Sequence, residues 1–390
     1  PELLNDLKVD VVIVGAGITG LTAGYLLQTS GMKVAVLEQD TLGSGTTGRT
    51  TGKVTSQHGL VYADMQNKHG KKLAHVYAQA NQAAVDKVAE IIEKEGIDCD
   101  WEQESSYVFT DNIKKVSQFK QEVKAASKVG LPASFEAKVP LPFKIKAAVK
   151  FTGQGKMNAQ KYLLGLAQSI TKNGGYVFEK SKAIGIREGN PCRVRTSKAK
   201  VFAKHIIVAT KVPTFPLAAR FGYGLLEYPT ESFGIAGKTD KKQKGMYISP
   251  DPHHHSIMQI EQSGQLFLII VGAGGNIPGM RLSKKSRYEL LANYAKKHYG
   301  LSEITHAWSD MDYLPYDGIP LVGRLYPWSK NLYTATGFMK WGLSNGTAGA
   351  MIMHDLIIKR ENPWASFYNP IRLSPIKSIP AAIKSHIISH

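Results

Sequence analysis

The segment from Val9 to Glu38 constrains this chain more than any other. Val9-Asp10-Val11-Val12-Ile13-Val14 is a near-continuous β-branched run, the pattern of a parallel strand buried on both faces. Gly15-Ala16-Gly17-Ile18-Thr19-Gly20 follows at once, and a helix pattern then runs through Leu21, Ala23, Leu26 and Leu27 to a stop at Ser30-Gly31. Lys33-Val34-Ala35-Val36-Leu37 reads as a second strand that ends on Glu38. This order predicts one βαβ unit, and with it an α/β fold.

The GxGxxG spacing has a physical reading in that context. Gly15 permits the tight turn, Gly17 lets the backbone approach a pyrophosphate, and Gly20 lets the helix pack against the strand. Ile18 and Thr19 open the helix, whose free amides and positive dipole end face the anion. Glu38 follows Gly20 by 18 residues, where a carboxylate accepts from ribose hydroxyls and repels a 2′-phosphate. Gln39 stands beside it. The unit alone leaves FAD and NAD open.

The following segment favours FAD. Gly43-Ser44-Gly45-Thr46-Thr47-Gly48-Arg49-Thr50-Thr51-Gly52-Lys53 is small, polar and poor in apolar anchors. Its amides and hydroxyls suit phosphate and ribityl oxygens, where an NAD domain would more usually continue into a further helix and strand. Later, His205-Ile206-Ile207-Val208-Ala209-Thr210 reads as a buried strand ending in small residues. Asn331 to Gly337 reads as another, leading through Phe338-Met339-Lys340-Trp341-Gly342-Leu343-Ser344 into a helix. The N-terminus of that helix, placed against a flavin ring, would stabilise the negative charge left by reduction.

On these residues the chain resembles the FAD-dependent oxidoreductases of the D-amino-acid oxidase type, glycine and sarcosine oxidases among them. The motifs are VVIVGAGITGLTAGYLL, the strand end at Glu38, GTTGRTTGKVTSQHGL, HIIVAT and LPYDGIPLVGRLYPWSKNLYTATGFMKWGLSNGTAGAMIMHDLI. Within the family, TTGKVTSQHGL and GFMKWGLSNGTAGAM look most like a bacterial branch often fused to a C-terminal Rieske domain. A Rieske centre takes two Cys and two His ligands. Neither Cys99 nor Cys192 lies in such a setting, and the last residues before His390 read as a linker, so the domain is expected to be absent from this stretch: either it was never present or this is a piece of a longer chain.

The resemblance implies a Rossmann-like FAD-binding domain with an interleaved α+β substrate domain built on an antiparallel sheet. The FAD domain would gather residues 1–67, 153–213 and 311–363, the substrate domain 68–152 and 214–310, with 364–390 as a tail or linker. The FAD, held non-covalently because the C-terminal block lacks the cysteine some members use, would touch Gly15, Gly17, Ile18, Thr19, Gly20, Glu38, Gln39, Thr46, Thr47, Gly48, Arg49, Thr50 and Thr51. Further contacts are expected at Ala183, by the family's adenine-side strand, and at Ala209, Thr210, Gly337, Gly342, Leu343 and Ser344.

The implied chemistry is oxidation of a C–N bond in an amine or amino acid. Lys340 occupies the slot where glycine-oxidase-like members place a carboxylate-binding arginine, and a lysine serves there as a point charge. Trp341 would wall the site. Lys53 and Arg49 would bring positive charge to the flavin. His58 is a candidate ring contact. The alternative reading is a flavin-containing electron-transfer or assembly subunit with a weak substrate site. His253-His254-His255 follows the turn Pro250-Asp251-Pro252. Adjacent residues on a strand point to opposite faces, so a surface turn is expected and no metal site.

Composition narrows the class. The 390 residues are 43% hydrophobic, as in globular proteins, and no apolar run approaches the roughly 20 residues of a membrane span. No secretory signal is visible at Pro1-Glu2-Leu3-Leu4, and two cysteines make no disulfide framework, so a reducing, cytoplasmic setting is expected. The net charge is +18, with no acid between Glu136 and Glu179, between Glu188 and Glu227, or after Glu361. Such a surface attracts anions and suits an acidic redox partner protein. The modules of nucleic-acid readers are missing, so no nucleic acid is expected.

Overall fold

The computed structural model describes residues 1–213, 217–251, 255–274, 282–301 and 303–378. Its centre is a six-stranded sheet in the order Leu321–Arg324, Leu332–Thr336, His205–Val208, Val11–Val14, Val34–Leu37, Tyr176–Phe178. Every neighbouring pair is parallel except the outermost, Leu321–Arg324 with Leu332–Thr336. Val11, Val12 and Ile13 are fully buried, each stabilising the fold by about 1.5–3 kcal/mol. This is the buried parallel sheet that the apolar run requires.

The helix Ile18–Thr29 is apolar on nearly all sides because it is covered all round. It packs on the sheet, on Ala159–Lys172 and on the long C-terminal helix Gly342–Ile357. A four-stranded sheet covers the other face. Its core of Val194, Val201 and Ala203 meets Val12, Val14 and Leu37.

The second large sheet has nine strands. It runs His306–Pro315, Glu227–Lys238, Gln265–Gly272, Ser256–Gln262, Met246–Ile248, Glu102–Thr110, Ala147–Lys156, Lys53–Val54, with Ala133–Glu136 also paired to Ala147–Lys156. Pairing is antiparallel except between Met246–Ile248 and Glu102–Thr110. The chain thus has a mixed α/β fold.

Two observations bear on the expected division of the chain. The joins at 152/153 and 310/311 fall inside strands, Ala147–Lys156 and His306–Pro315, both in the nine-stranded sheet. Residues 364–378 are not a free tail. Phe367 and Tyr368 are buried, and the Tyr368 ring stacks on Tyr77. Arg372 then forms two hydrogen bonds to the Asp317 carboxylate, at 2.7 and 2.9 Å. Two aromatics and a fork-shaped cation supply the anchorage. Residues 379–390 lie outside the described part.

Candidate active site

The strands Val11–Val14, His205–Val208 and Leu332–Thr336 end side by side, and their exits form a crevice at the point where strand order reverses, the usual ligand site of such sheets. Gly15 has φ of +105°, and a Cβ there would lie 2.6 Å from the Ala209 carbonyl oxygen. A Cβ on Gly20 would fall 1.9 Å from the Gly15 oxygen. Both positions are closed to any side chain. The Ala16 amide donates to Glu38 Oε2 at 3.1 Å, and the Ile18 amide to Thr47 Oγ1 at 3.2 Å. Apart from that bond to Thr47, helix Ile18–Thr29 has no side-chain cap at its N-cap, Gly17, and among the described residues Thr19 Oγ1 and Thr46 Oγ1 are buried without a hydrogen-bond partner. An uncapped helix end, orphaned hydroxyls and a glycine turn at the strand exit are what a dinucleotide pyrophosphate needs. The residues present fit FAD.

The second helix N-terminus, at Gly342, comes close to the first. A Cβ on Gly346 would lie 2.6 Å from Thr19 Oγ1, so the glycine allows the approach. Leading into this helix is a strained turn. Gly337, Met339 and Lys340 have φ of +71°, +54° and +68°, and for the two non-glycine residues this costs about 1 kcal/mol or more each. Lys340 as a residue is exposed at the mouth. Its ammonium nevertheless lies among neighbours whose desolvation lowers its pKa, with the Asp312 carboxylate pulling it back up. Trp341 is half-buried and stacks on His58, ring centroids 4.9 Å apart. His58 also bonds Ser344 Oγ at 2.8 Å, the Thr55 carbonyl at 2.9 Å and Tyr77 Oη at 2.5 Å. Burial drives its pKa down to about 3. His58, Trp341 and Ser344 therefore form one packed unit that holds the turn. Leu343 is buried behind it.

The strand His306–Pro315 connects the large sheet to the crevice, and the sequence reading missed it. Trp308, Asp310 and Asp312 alternate along one face. Trp308 Nε1 donates to the Arg49 carbonyl at 3.1 Å. Asp310 pairs with Lys211 at 2.9 Å. Asp312 is half-buried, and burial raises its pKa against the opposing charges of Lys340 and Lys211. One face thus reaches the loop after Glu38, the exit of His205–Val208 and the turn before Gly342. The alternation in Trp308-Ser309-Asp310-Met311-Asp312 was the available signal. Gly234, opposite Trp308, makes room for the indole: a Cβ there would come within 2.5 Å of the ring.

Lys53 lies deeper. Its Nζ donates to the Tyr247 carbonyl at 2.6 Å and to Ser256 Oγ at 2.7 Å. Burial lowers its pKa to about 7. Lys53 therefore ties the loop to the large sheet and holds a proton weakly near neutrality.

The remaining expected residues spread along the crevice. Gly48, Arg49 and Thr50 are exposed, Thr51 half-buried, and Thr46–Arg49 forms a turn of 3₁₀ helix. Gln39 is exposed and donates to Asp40. Ala183 is buried beside a segment that follows Glu38, since Ser181 donates to the Glu38 carbonyl at 2.7 Å. Thr210 Oγ1 donates to the Val212 carbonyl at 2.7 Å. His253 and His254 lie outside the described residues, and His255 stacks on Tyr294.

A second polar relay sits away from the crevice. Ser30 Oγ is 2.8 Å from His354 Nε2, and His354 Nδ1 is 2.8 Å from Asp355 Oδ1. The amides of Ser30, Gly31 and Met32 all donate to carbonyls of the first helix, so none is free to stabilise an oxyanion. The relay fastens the end of that helix to the long C-terminal helix.

Known proteins match this architecture. The Bacillus subtilis (strain 168) protein YhfW, which carries a Rieske 2Fe-2S iron-sulfur name, is 30% identical over 100% of this chain and 77% of its own length. Glycine oxidase from Geobacillus kaustophilus superposes with a TM-score of 0.77 at 19% identity, covering 94% of this chain and 99% of that one. L-proline dehydrogenase from P. horikoshii gives 0.76 at 21% identity, over 95% and 98%. Residues 10–356 match the FAD dependent oxidoreductase (DAO) family, and the chain belongs to that family of FAD-dependent oxidoreductases.

Proposed function

We propose that the protein oxidises the C–N bond of a small amine or amino acid by hydride transfer to non-covalently held FAD. The observation that carries this reading is Lys340, exposed in the positive-φ turn where Leu332–Thr336 passes into the helix at Gly342, with the Asp312 carboxylate within electrostatic reach of it. A cation and a carboxylate close together suit the two ends of a zwitterion, its carboxylate toward Lys340 and its ammonium toward Asp312. The relatives named glycine oxidase and L-proline dehydrogenase support an amino-acid substrate.

The glycine turn at Gly15, Gly17 and Gly20, with Thr46 and Thr47, would hold the pyrophosphate, and Glu38 the ribose. Bound there, FAD supplies the hydride acceptor for the carbon next to the amine nitrogen. The chain's own work is to orient and to manage protons. Asp312, its pKa raised, is poised to take a proton as the ammonium becomes the neutral amine. Lys53 holds a proton that it releases near neutral pH. Trp341, braced by His58, walls the site. Reoxidation falls to oxygen or to an acidic partner protein drawn to the +18 surface. Two buried free thiols, Cys99 and Cys192, are in keeping with a cytoplasmic setting.

The test is the visible spectrum of the purified protein before and after anaerobic addition of pooled amines and amino acids. Bleaching of a flavin spectrum is the expected result, and splitting the pool then identifies the substrate. An unbleached flavin would overturn the amine reading and favour an electron-transfer subunit.

A further inference from the structure

Beneath the strained turn lies a carboxyl group that the chemistry above does not use. Glu227, at the start of Glu227–Lys238, is 2% exposed. Its Oε1 is buried with no hydrogen-bond partner among the described residues. It packs directly under Gly337, where a Cβ would lie 2.5 Å from that oxygen. Its Oε2 is 3.3 Å from Thr336 Oγ1.

The proton on Glu227 follows from counting donors. A threonine hydroxyl has one proton to give. Thr336 gives its proton to the Lys211 carbonyl, 2.6 Å away. Thr336 can then only accept from Glu227, and a carboxyl donates only when protonated. A charged carboxylate here would be buried with no donor among the described residues, a costly state. The surroundings agree. Asp312 on the neighbouring strand disfavours the charge, and the cation of Arg372, from the C-terminal segment, is already engaged by Asp317. Tyr223, from Leu217–Gly224, also faces the group but remains neutral, because burial raises its pKa. Lys211 contributes its carbonyl, while its ammonium is paired with Asp310.

We infer that Glu227 is a positioning residue of the crevice: as the neutral acid it donates to Thr336, which donates to Lys211, and this chain of two hydrogen bonds ties together the exits of His205–Val208 and Leu332–Thr336. Those exits, at Thr210 and Gly337, flank the place where the flavin is expected, so the inference rests on that placement. Burial, the dominant cause, raises the Glu227 pKa to about 8. Above that pH the carboxylate has no proton to give and instead draws the Thr336 hydroxyl proton away from the Lys211 carbonyl, so the two exits lose their link and FAD is held less firmly.

The experiment follows release of FAD from the holoenzyme by recovery of free-flavin fluorescence, between about pH 6 and pH 10. Wild type is expected to release FAD faster above a midpoint near pH 8, by up to about tenfold per pH unit. Glu227→Gln keeps the shape and a donor, so it should match wild type at low pH and lack the step. Thr336→Val should release FAD quickly at every pH, and Thr336→Ser should restore the wild-type profile. A step that survives in Glu227→Gln, or no step in wild type, overturns the inference.

Infrared difference spectra of wild type over the same pH range provide a reading independent of FAD and of any variant's folding. A carbonyl band of a protonated carboxylic acid should disappear with the same midpoint. Its absence at neutral pH would overturn the protonated state of Glu227 even if the flavin placement holds. A protein that binds no FAD would instead overturn the placement and leave the infrared result standing.

Discussion

The imidazole of His58 lies flat against the indole of Trp341, with ring centroids 4.9 Å apart and planes 16° apart. The contact links the loop after the first βαβ unit to the start of the long C-terminal helix. Because His58 is buried as the neutral ring, its pKa falls from 6.5 to about 3. Between those values the unfolded chain binds a proton that the folded chain does not. Stability from this group is therefore complete above about pH 6.5 and declines as pH falls, by up to about 1.4 kcal/mol per pH unit. Urea titrations at about pH 7 and pH 5 should show wild type losing roughly 2 kcal/mol more than His58→Gln. Equal losses would mean that His58 is not the acid-sensitive group.

Lys53 has the same sign in a different window. Its pKa is lowered from 10.5 to about 7 by burial, so the unfolded chain binds the extra proton between those values, and stability rises with pH across that range. Lys53→Met should remove this rise and be the more stable protein near pH 6, where wild type buries a charged amine. Thermal melts at about pH 6 and pH 9 decide it. A variant that melts below wild type at both pH values would show that the bonds to Tyr247 and Ser256 outweigh the desolvation.

The turn before Gly342 stores strain at Met339 and Lys340. Met339→Gly should relieve it and stabilise the protein by about 1 kcal/mol, while lowering kcat because the turn is less firmly shaped. Lys340→Ala should keep its FAD and raise KM for carboxylate-bearing substrates roughly ten- to a hundredfold, the worth of a charged hydrogen bond. Loss of FAD from that variant would remove Lys340 from the substrate's side of the site.

Arg372 and Asp317 hold the C-terminal segment. The Asp317 side chain is fully buried and that of Arg372 nearly so. Arg372→Ala should cost about 3 kcal/mol, because it leaves a buried carboxylate uncompensated. The double variant with Asp317→Ala should recover some of the loss. Full additivity in denaturant titrations would show that the two residues act independently.

The sequence was most informative where local chemistry leaves few choices. Val11 to Val14, the turn at Gly15 and the strand end at Glu38 need only neighbours a few residues away, and each forms as the pattern demands. The helix after Gly20 is legible in the same way from Leu21, Ala23, Leu26 and Leu27, and it forms over Ile18–Thr29. Trp308, Asp310, Asp312 and Glu227 escaped notice because their meaning comes from strands far apart in the chain. Glu227 looks like any strand-edge glutamate until Thr336 and Gly337 are brought over it. The last segment read as a linker because its polar and proline residues hide three anchors, Phe367, Tyr368 and Arg372, whose partners Tyr77 and Asp317 are remote in sequence.

The strand His306–Pro315 acts as a seam. Three of its residues, two apart on one rung of rigid backbone, reach three different walls of the crevice. Because the three contacts share one strand, the walls they hold are coupled through its backbone. Hydrogen exchange at the amides of 306–315 is then a clock for how long the crevice stays shut. A bound cofactor, by favouring the closed form, would slow that clock in proportion to its affinity.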